Sequence, residues 1–146
     1  MPRAYSVTER SYRMVLPKFD NDGHRIDNSR LEPYAVEMSR HFGGVTVYPT
    51  VVGCYVPEDG ELHCEENALL ESARDISQED RPRADEIFKR DKEFMRRLAD
   101  RAGREFGQES VFVEEDIIKD VEFRMGKMTP SVPKRLREVN PFYRLL

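Results

Sequence analysis

Tyr12, Met14 and Leu16 alternate with Arg13, Val15 and Pro17, a period of two that predicts a strand ending near Phe19. The next segment, Asp20-Asn21-Asp22-Gly23-His24, is dense in turn formers and reads as a loop. Beyond it the period lengthens. Leu31, Tyr34, Ala35, Met38 and Phe42 recur at helical spacing up to Gly43-Gly44, behind Ser29 and Glu32 spaced as a capping box. Pro33 lies deeper than the first helical position that proline prefers, so the start of this helix is read near Pro33. From Val45 to Val56 β-branched and aromatic residues crowd together as in a strand, and Pro49 and Gly53 interrupt them as at a sheet edge or bulge. Pro57-Glu58-Asp59-Gly60 is the strongest turn signal in the chain, and Glu61 to Cys64 return from it as the second arm of a hairpin.

Ala84, Ile87, Phe88, Phe94, Met95, Leu98, Ala102 and Phe106 then mark a long amphipathic helix ending at Gly107. Asp91 falls where an apolar residue is due, which predicts a helix in two pieces. Val111-Phe112-Val113 restarts the strand pattern, and Ile117, Ile118, Val121 and Phe123 either continue it or form a short partner. The order of strand, helix, strand, strand, helix, strand predicts an α+β fold of the ferredoxin-like βαββαβ kind, an antiparallel sheet with both helices on one face. Residues 1–10 form an N-terminal arm in this reading, 11–126 the domain, and 127–146 an extended basic C-terminal tail in which Pro130, Pro133 and Pro141 preclude a further regular element.

The glycine turns carry a resemblance. Phe42-Gly43-Gly44-Val45-Thr46 after a helix, then Gly53 and Tyr55, the acid-rich hairpin, and Phe106-Gly107-Gln108-Glu109-Ser110-Val111 before a strand are similar to small uncharacterised α+β proteins of bacteria, phages and plasmids. The resemblance covers about Tyr12 to Phe123. It implies a ferredoxin-like core and a mobile-element origin, and no activity, because that family has none assigned.

Charge changes the picture more than composition does. The 146 residues carry a net charge of −4, with 36% charged and 38% hydrophobic residues, so the chain is one domain with a modest core and a heavily charged surface. The charges are not evenly spread. From Pro57 to Asp80 nine acids face Arg74 alone, a net −8, whereas from Arg124 to Leu146 six bases face Glu138 alone, a net +5. No apolar run approaches the roughly 20 residues that span a bilayer, and the first residues lack the apolar centre of a secretion signal. The location expected is therefore cytoplasmic, or a virion if the gene belongs to a mobile element, with no membrane.

Several sites follow as expectations. Cys54, His63, Cys64, Glu65 and Glu66 lie on the two arms of the hairpin. A three-residue loop with Gly60 left-handed sets Cys54 opposite Cys64, and a four-residue loop sets it opposite His63. In either register too few ligands meet for zinc, so no metal or cofactor is expected and the cysteines are read as reduced, as in a cytoplasm. Glu65, Glu66 and Glu71 with His24, His41 or His63 have the chemistry of acid/base catalysis, but no spacing joins a pair, and no motif for a nucleophile elbow, zinc helix, phosphate loop or dinucleotide is present. Tyr48 and Tyr55 have no basic neighbours, which makes the sheet a poor RNA platform and leaves nucleic acid to the basic tail.

The tail joins bases to apolar anchors, and Arg135, Arg137, Phe142 and Tyr143 are its expected contacts with the acidic hairpin or the open sheet face. The main reading is thus a non-enzymatic assembly or interaction module, self-associating or binding another protein. The alternative is a small-molecule-binding protein or small enzyme that uses the hairpin of residues 54–66, with Cys54, His63 and Glu65.

Overall fold

The computed structural model describes residues 6–118, and Arg135, Arg137, Phe142 and Tyr143, with the whole tail, lie outside the described residues. The alternation around Tyr12 is the first thing it realises. Tyr12, Met14 and Leu16 are buried on one face of strand β1 (Ser6–Pro17), and Arg13 and Val15 stand half-buried on the other. The strand begins at Ser6, six residues ahead of the alternating run. Helix α1 (Asn28–Phe42) starts earlier than Pro33 suggests, because Asp27 caps it, accepting a 2.8 Å hydrogen bond from the Ser29 amide. Ser29 is thus inside the first turn. The helix buries Leu31, Tyr34, Ala35 and Met38 and stops at Gly43, whose φ is 92°.

Strand β2 (Thr46–Tyr55) and strand β3 (His63–Ser77) form the hairpin. A 3-10 turn over Arg81–Arg83 leads into helix α2 (Ala84–Phe106), which is one continuous helix, and strand β4 (Val113–Ile117) closes the order. The sheet has four strands in the order β2-β3-β1-β4, every neighbouring pair antiparallel. Both helices pack on the face that carries Tyr12, Met14, Leu16, Ala68 and Leu70, and Met95, Leu98, Ala102 and Phe106 of α2 meet Tyr34 and Met38 of α1 in one core. The other face carries Arg13, ion-paired to Glu71 on β3 and to Glu114 on β4.

The α+β class, the four-stranded antiparallel sheet and the two helices are as the pattern predicts. A plain ferredoxin-like βαββαβ unit is not what the chain builds in detail. Its strands are unequal, 15 residues in β3 against 5 in β4, and the 3-10 turn intervenes before α2. The arms of the hairpin also run past the core, for residues 52–56 and 58–66 are all exposed. Strand β2 lies at the sheet edge, and its register against β3 shifts between Tyr48 and Val51, at Pro49, which has no N–H to give to a ladder.

The register of the hairpin follows the three-residue loop. Tyr55 faces His63 and Cys54 faces Cys64, while Gly60, at φ 81°, donates its N–H to the Pro57 carbonyl at 3.0 Å. The cysteines are not reduced. Direct opposition on neighbouring strands brings their Cα atoms to 4.0 Å, and Cys54 and Cys64 form a disulfide. No described helix is long and apolar enough to cross a membrane.

Candidate functional site

The loop after β1 is built by its own side chains. Asp20 accepts hydrogen bonds from the Asp22 and His24 amides at 2.9 and 2.8 Å, which folds the loop back so that Phe19 pairs with Arg25 and Ile26 bonds to Lys18. Asn21 then reaches the end of α2, donating from Nδ2 to the Gly107 carbonyl at 2.9 Å. Gly107 is left-handed at φ 63°, and a Cβ there would stand 3.1 Å from the same Nδ2, so the contact and the helix stop both require glycine.

Between this loop and the base of the hairpin lies a cleft of about 600 Å3, within the range of small-molecule sites. Pro17 and Phe19 supply its apolar wall, Asp20, Glu65 and Glu66 its carboxylates, and Asn21, Asn67 and Gln108 its amides. Three carboxylates with no cation among the lining residues favour a positively charged guest, and an apolar or aromatic group can lie against Phe19, which is 40% exposed. Lys18 is the nearest counter-charge, and the charge of Glu66 acts on it. It is buried, bonds Thr50 Oγ1 at 2.7 Å, and has its pKa lowered, first by loss of solvent and then by the charge of Arg25.

Of the hairpin residues expected to act together, Cys64 and Glu65 line this cleft, and Cys54 and His63 do not. His63 points elsewhere, pairing with Asp59 at 3.2 Å and stacking beside Tyr55. The disulfide removes both thiolates as metal ligands or nucleophiles. Asp59, Glu61 and His63 cluster on the exposed hairpin, and Asp20, Asp22 and His24 on the exposed loop. Both are solvated loop groupings of the kind common without an ion.

A second constellation was not assembled by any spacing in the sequence. Asp91 of α2 is 1% exposed and binds two partners: Arg74 of β3 gives it two hydrogen bonds of 2.8 Å, and His41 of α1 lies 2.8 Å away through Nε2. The His41 ring is stacked on Phe94 at 3.9 Å and edge-on to Phe42. Arg74 also donates to the His41 carbonyl at 3.3 Å, and its pKa is raised chiefly by the bond to Asp91. The signal was Asp91 itself. An acid on the apolar stripe of a helix marks a buried partner, not a break.

No protein-family model and no curated protein matches the chain. Among solved structures, a phage SAM lyase in complex with S-methyl-5'-thioadenosine is similar at a TM-score of 0.53, with 17% identity over 80% of this chain and 86% of that one. At that identity the likeness concerns the fold. The expectation of a non-enzymatic assembly module is overturned by it, since the neighbour sharing this fold is an enzyme. The alternative reading, a small-molecule site at the hairpin, agrees with it better.

Proposed function

We propose that this chain is a small enzyme of the S-adenosylmethionine lyase kind and that the cleft between the 19–23 loop and the hairpin holds its substrate. The observation that carries the reading is the cleft's charge. Glu65, Glu66 and Asp20 line it without a cation, next to the exposed ring of Phe19. S-adenosylmethionine bears a sulfonium and an ammonium against one carboxylate, so it is a net cation with an aromatic base, and both parts have a complement here. The sulfonium is its own leaving group. Breaking the bond from sulfur to the amino-acid chain returns the electron pair to sulfur and releases neutral S-methyl-5'-thioadenosine. The carbon left behind takes its new bond either from the substrate's own carboxylate, closing a lactone with no proton exchanged, or from the electrons of an adjacent C–H bond whose proton a base removes. Carboxylates at the cleft would hold the ammonium in place for the first route and accept the proton in the second. The ferredoxin-like arrangement, as an elaborated variant, and a phage or other mobile-element origin belong to the same proposal and draw on the phage neighbour.

The test is direct. Incubating the full chain with S-adenosylmethionine and separating the products should give S-methyl-5'-thioadenosine well above the protein-free rate, and calorimetry should give saturable binding of both compounds. Binding of neither compound below millimolar concentration would refute the reading.

A further inference from the structure

At the opposite end of α2 from the cleft lies a second cavity, of about 260 Å3, lined by His41, Arg74, Arg83, Ile87, Arg90 and Asp91. It is roughly 25 Å from Gln108 along the helix axis at 1.5 Å per residue, so it is a separate place. We propose that this cavity binds the phosphate group of a small molecule, and the proposal stands independently of the lyase reading.

The argument is one of charge and geometry. Three guanidinium groups and an imidazole line the cavity against a single carboxylate, that of Asp91. Asp91 is already neutralised by the two hydrogen bonds from Arg74, and it is buried, which leaves two positive charges, from Arg83 and Arg90, facing the space. Arginine suits this task because its planar fork bonds two oxygens of one phosphate at once. The walls are rigid where they need to be. Asp91 fixes Arg74 from one side and His41 from another, and the His41 ring is clamped between Phe94 and Phe42. With Nε2 on Asp91, the Nδ1 of His41 has no hydrogen-bond partner among the described residues.

Of the two exposed arginines, Arg90 has only a weak competitor. Arg90 is 3.9 Å from Glu86, at the outer limit of an ion pair, whereas Arg83 pairs closely with half-buried Asp80, which Ser77 also holds and whose carboxyl the Arg83 contact keeps below its ordinary range. A dianionic phosphate outbids the exposed Glu86 carboxylate for Arg90 and, bonding two guanidinium groups at once, competes with Asp80 for Arg83. The cavity also adjoins the first turn of α2, where the preceding 3-10 turn already takes the Ala84 N–H. Asp85 and Glu86 of that turn do not line the cavity.

Inorganic phosphate is the probe, titrated into the full chain at constant ionic strength balanced with chloride, and followed by calorimetry and by the imidazole NMR signals of His41. The expected result is saturable binding with Kd below about 1 mM, a shift of the His41 signals, and at least about tenfold weaker binding in Arg83→Ala/Arg90→Ala. Both side chains are exposed, so that variant should fold, and Arg90→Gln alone supplies an intermediate loss if it does not. Acetate in place of phosphate should bind about tenfold more weakly. Phosphate that never saturates, or that binds the double variant as well as the parent, overturns the site. Acetate binding as tightly as phosphate overturns the assignment to a phosphate group.

Discussion

Arg74 on β3 donates two hydrogen bonds of 2.8 Å to the buried carboxylate of Asp91 on α2, and so pins the helix to the sheet through a paired charge. The pair and His41 join three elements, β3, α1 and α2, at one carboxylate. Removing one partner strands the other charge in the core, which typically costs about 3–5 kcal/mol. Asp91→Ala should therefore lower the unfolding free energy by an amount of that order, which moves the urea midpoint down by about 1–3 M and reduces Tm by about 10 °C or more. Arg74→Met/Asp91→Leu together should recover much of the loss, since an apolar pair carries no desolvation penalty. A single variant as stable as the parent would show that the pair pins nothing.

The disulfide acts on a different part of the molecule. Cys54 and Cys64 close a hairpin whose arms run beyond the helices and carry few buried side chains, so the bond supplies order that packing does not. A closed loop of this separation contributes about 2–3 kcal/mol on the chain-entropy account. Both cysteines are exposed, so a phosphine reductant has access. On reduction, amide hydrogen exchange should quicken across residues 51–66 and stay unchanged at Tyr12, Met14 and Leu16. Equal acceleration in both regions would mean that the bond supports the whole fold.

The parts of the fold that read easily were those where local pattern and tertiary burial agree. The Tyr12-Met14-Leu16 alternation, the stripe from Ile87 to Phe106 and the turn at Pro57 to Gly60 each carry their own period or turn chemistry. Strand β3 did not. Its central run Ala68-Leu69-Leu70-Glu71-Ser72-Ala73 is rich in helix formers, and pairing with both β1 and β2 overrides their preference. The cleft was half legible. Glu65 was within reach of a hairpin argument, but Phe19, Asp20 and Gln108 come together only because Asn21 ties the loop to the end of α2. The disulfide was misread because its register was allowed while a reducing compartment was assumed.

At the cleft, charge and stacking can be separated with two ligands. S-adenosylmethionine is a cation and S-methyl-5'-thioadenosine is neutral, so Glu65→Gln and Glu66→Gln should each weaken the first by about tenfold or less and the second hardly at all. Phe19→Ala, which removes only the ring, should weaken both by similar factors. Calorimetry with the two compounds decides this. Carboxylate variants that lose both ligands equally would mean that the acids shape the cleft instead of recognising charge.

Tyr34 sets the behaviour at high pH. Its hydroxyl donates to Glu105 Oε1 at 2.6 Å from a buried ring, and its pKa is pushed up to about 12, by burial first and by that hydrogen bond next. Tyr12, buried and bonded to Glu115 at 2.7 Å, is raised further for the same reasons. Above pH 10 the unfolded chain loses protons that the folded chain keeps, so the stability each tyrosine contributes is complete below pH 10 and falls as pH rises toward the folded value. For Tyr34 the loss between pH 10 and 12 should be on the order of 2 kcal/mol. Lys18 works in the opposite sense. Its lowered pKa means that the folded state binds fewer protons below about pH 10.5, and stability should rise with pH up to that point. Urea midpoints of the parent, Tyr34→Phe and Lys18→Met from pH 8 to 12 test both signs. The phenylalanine variant should show a shallower fall above pH 10 and the methionine variant no rise below it, and profiles parallel to the parent's would rule out both assignments.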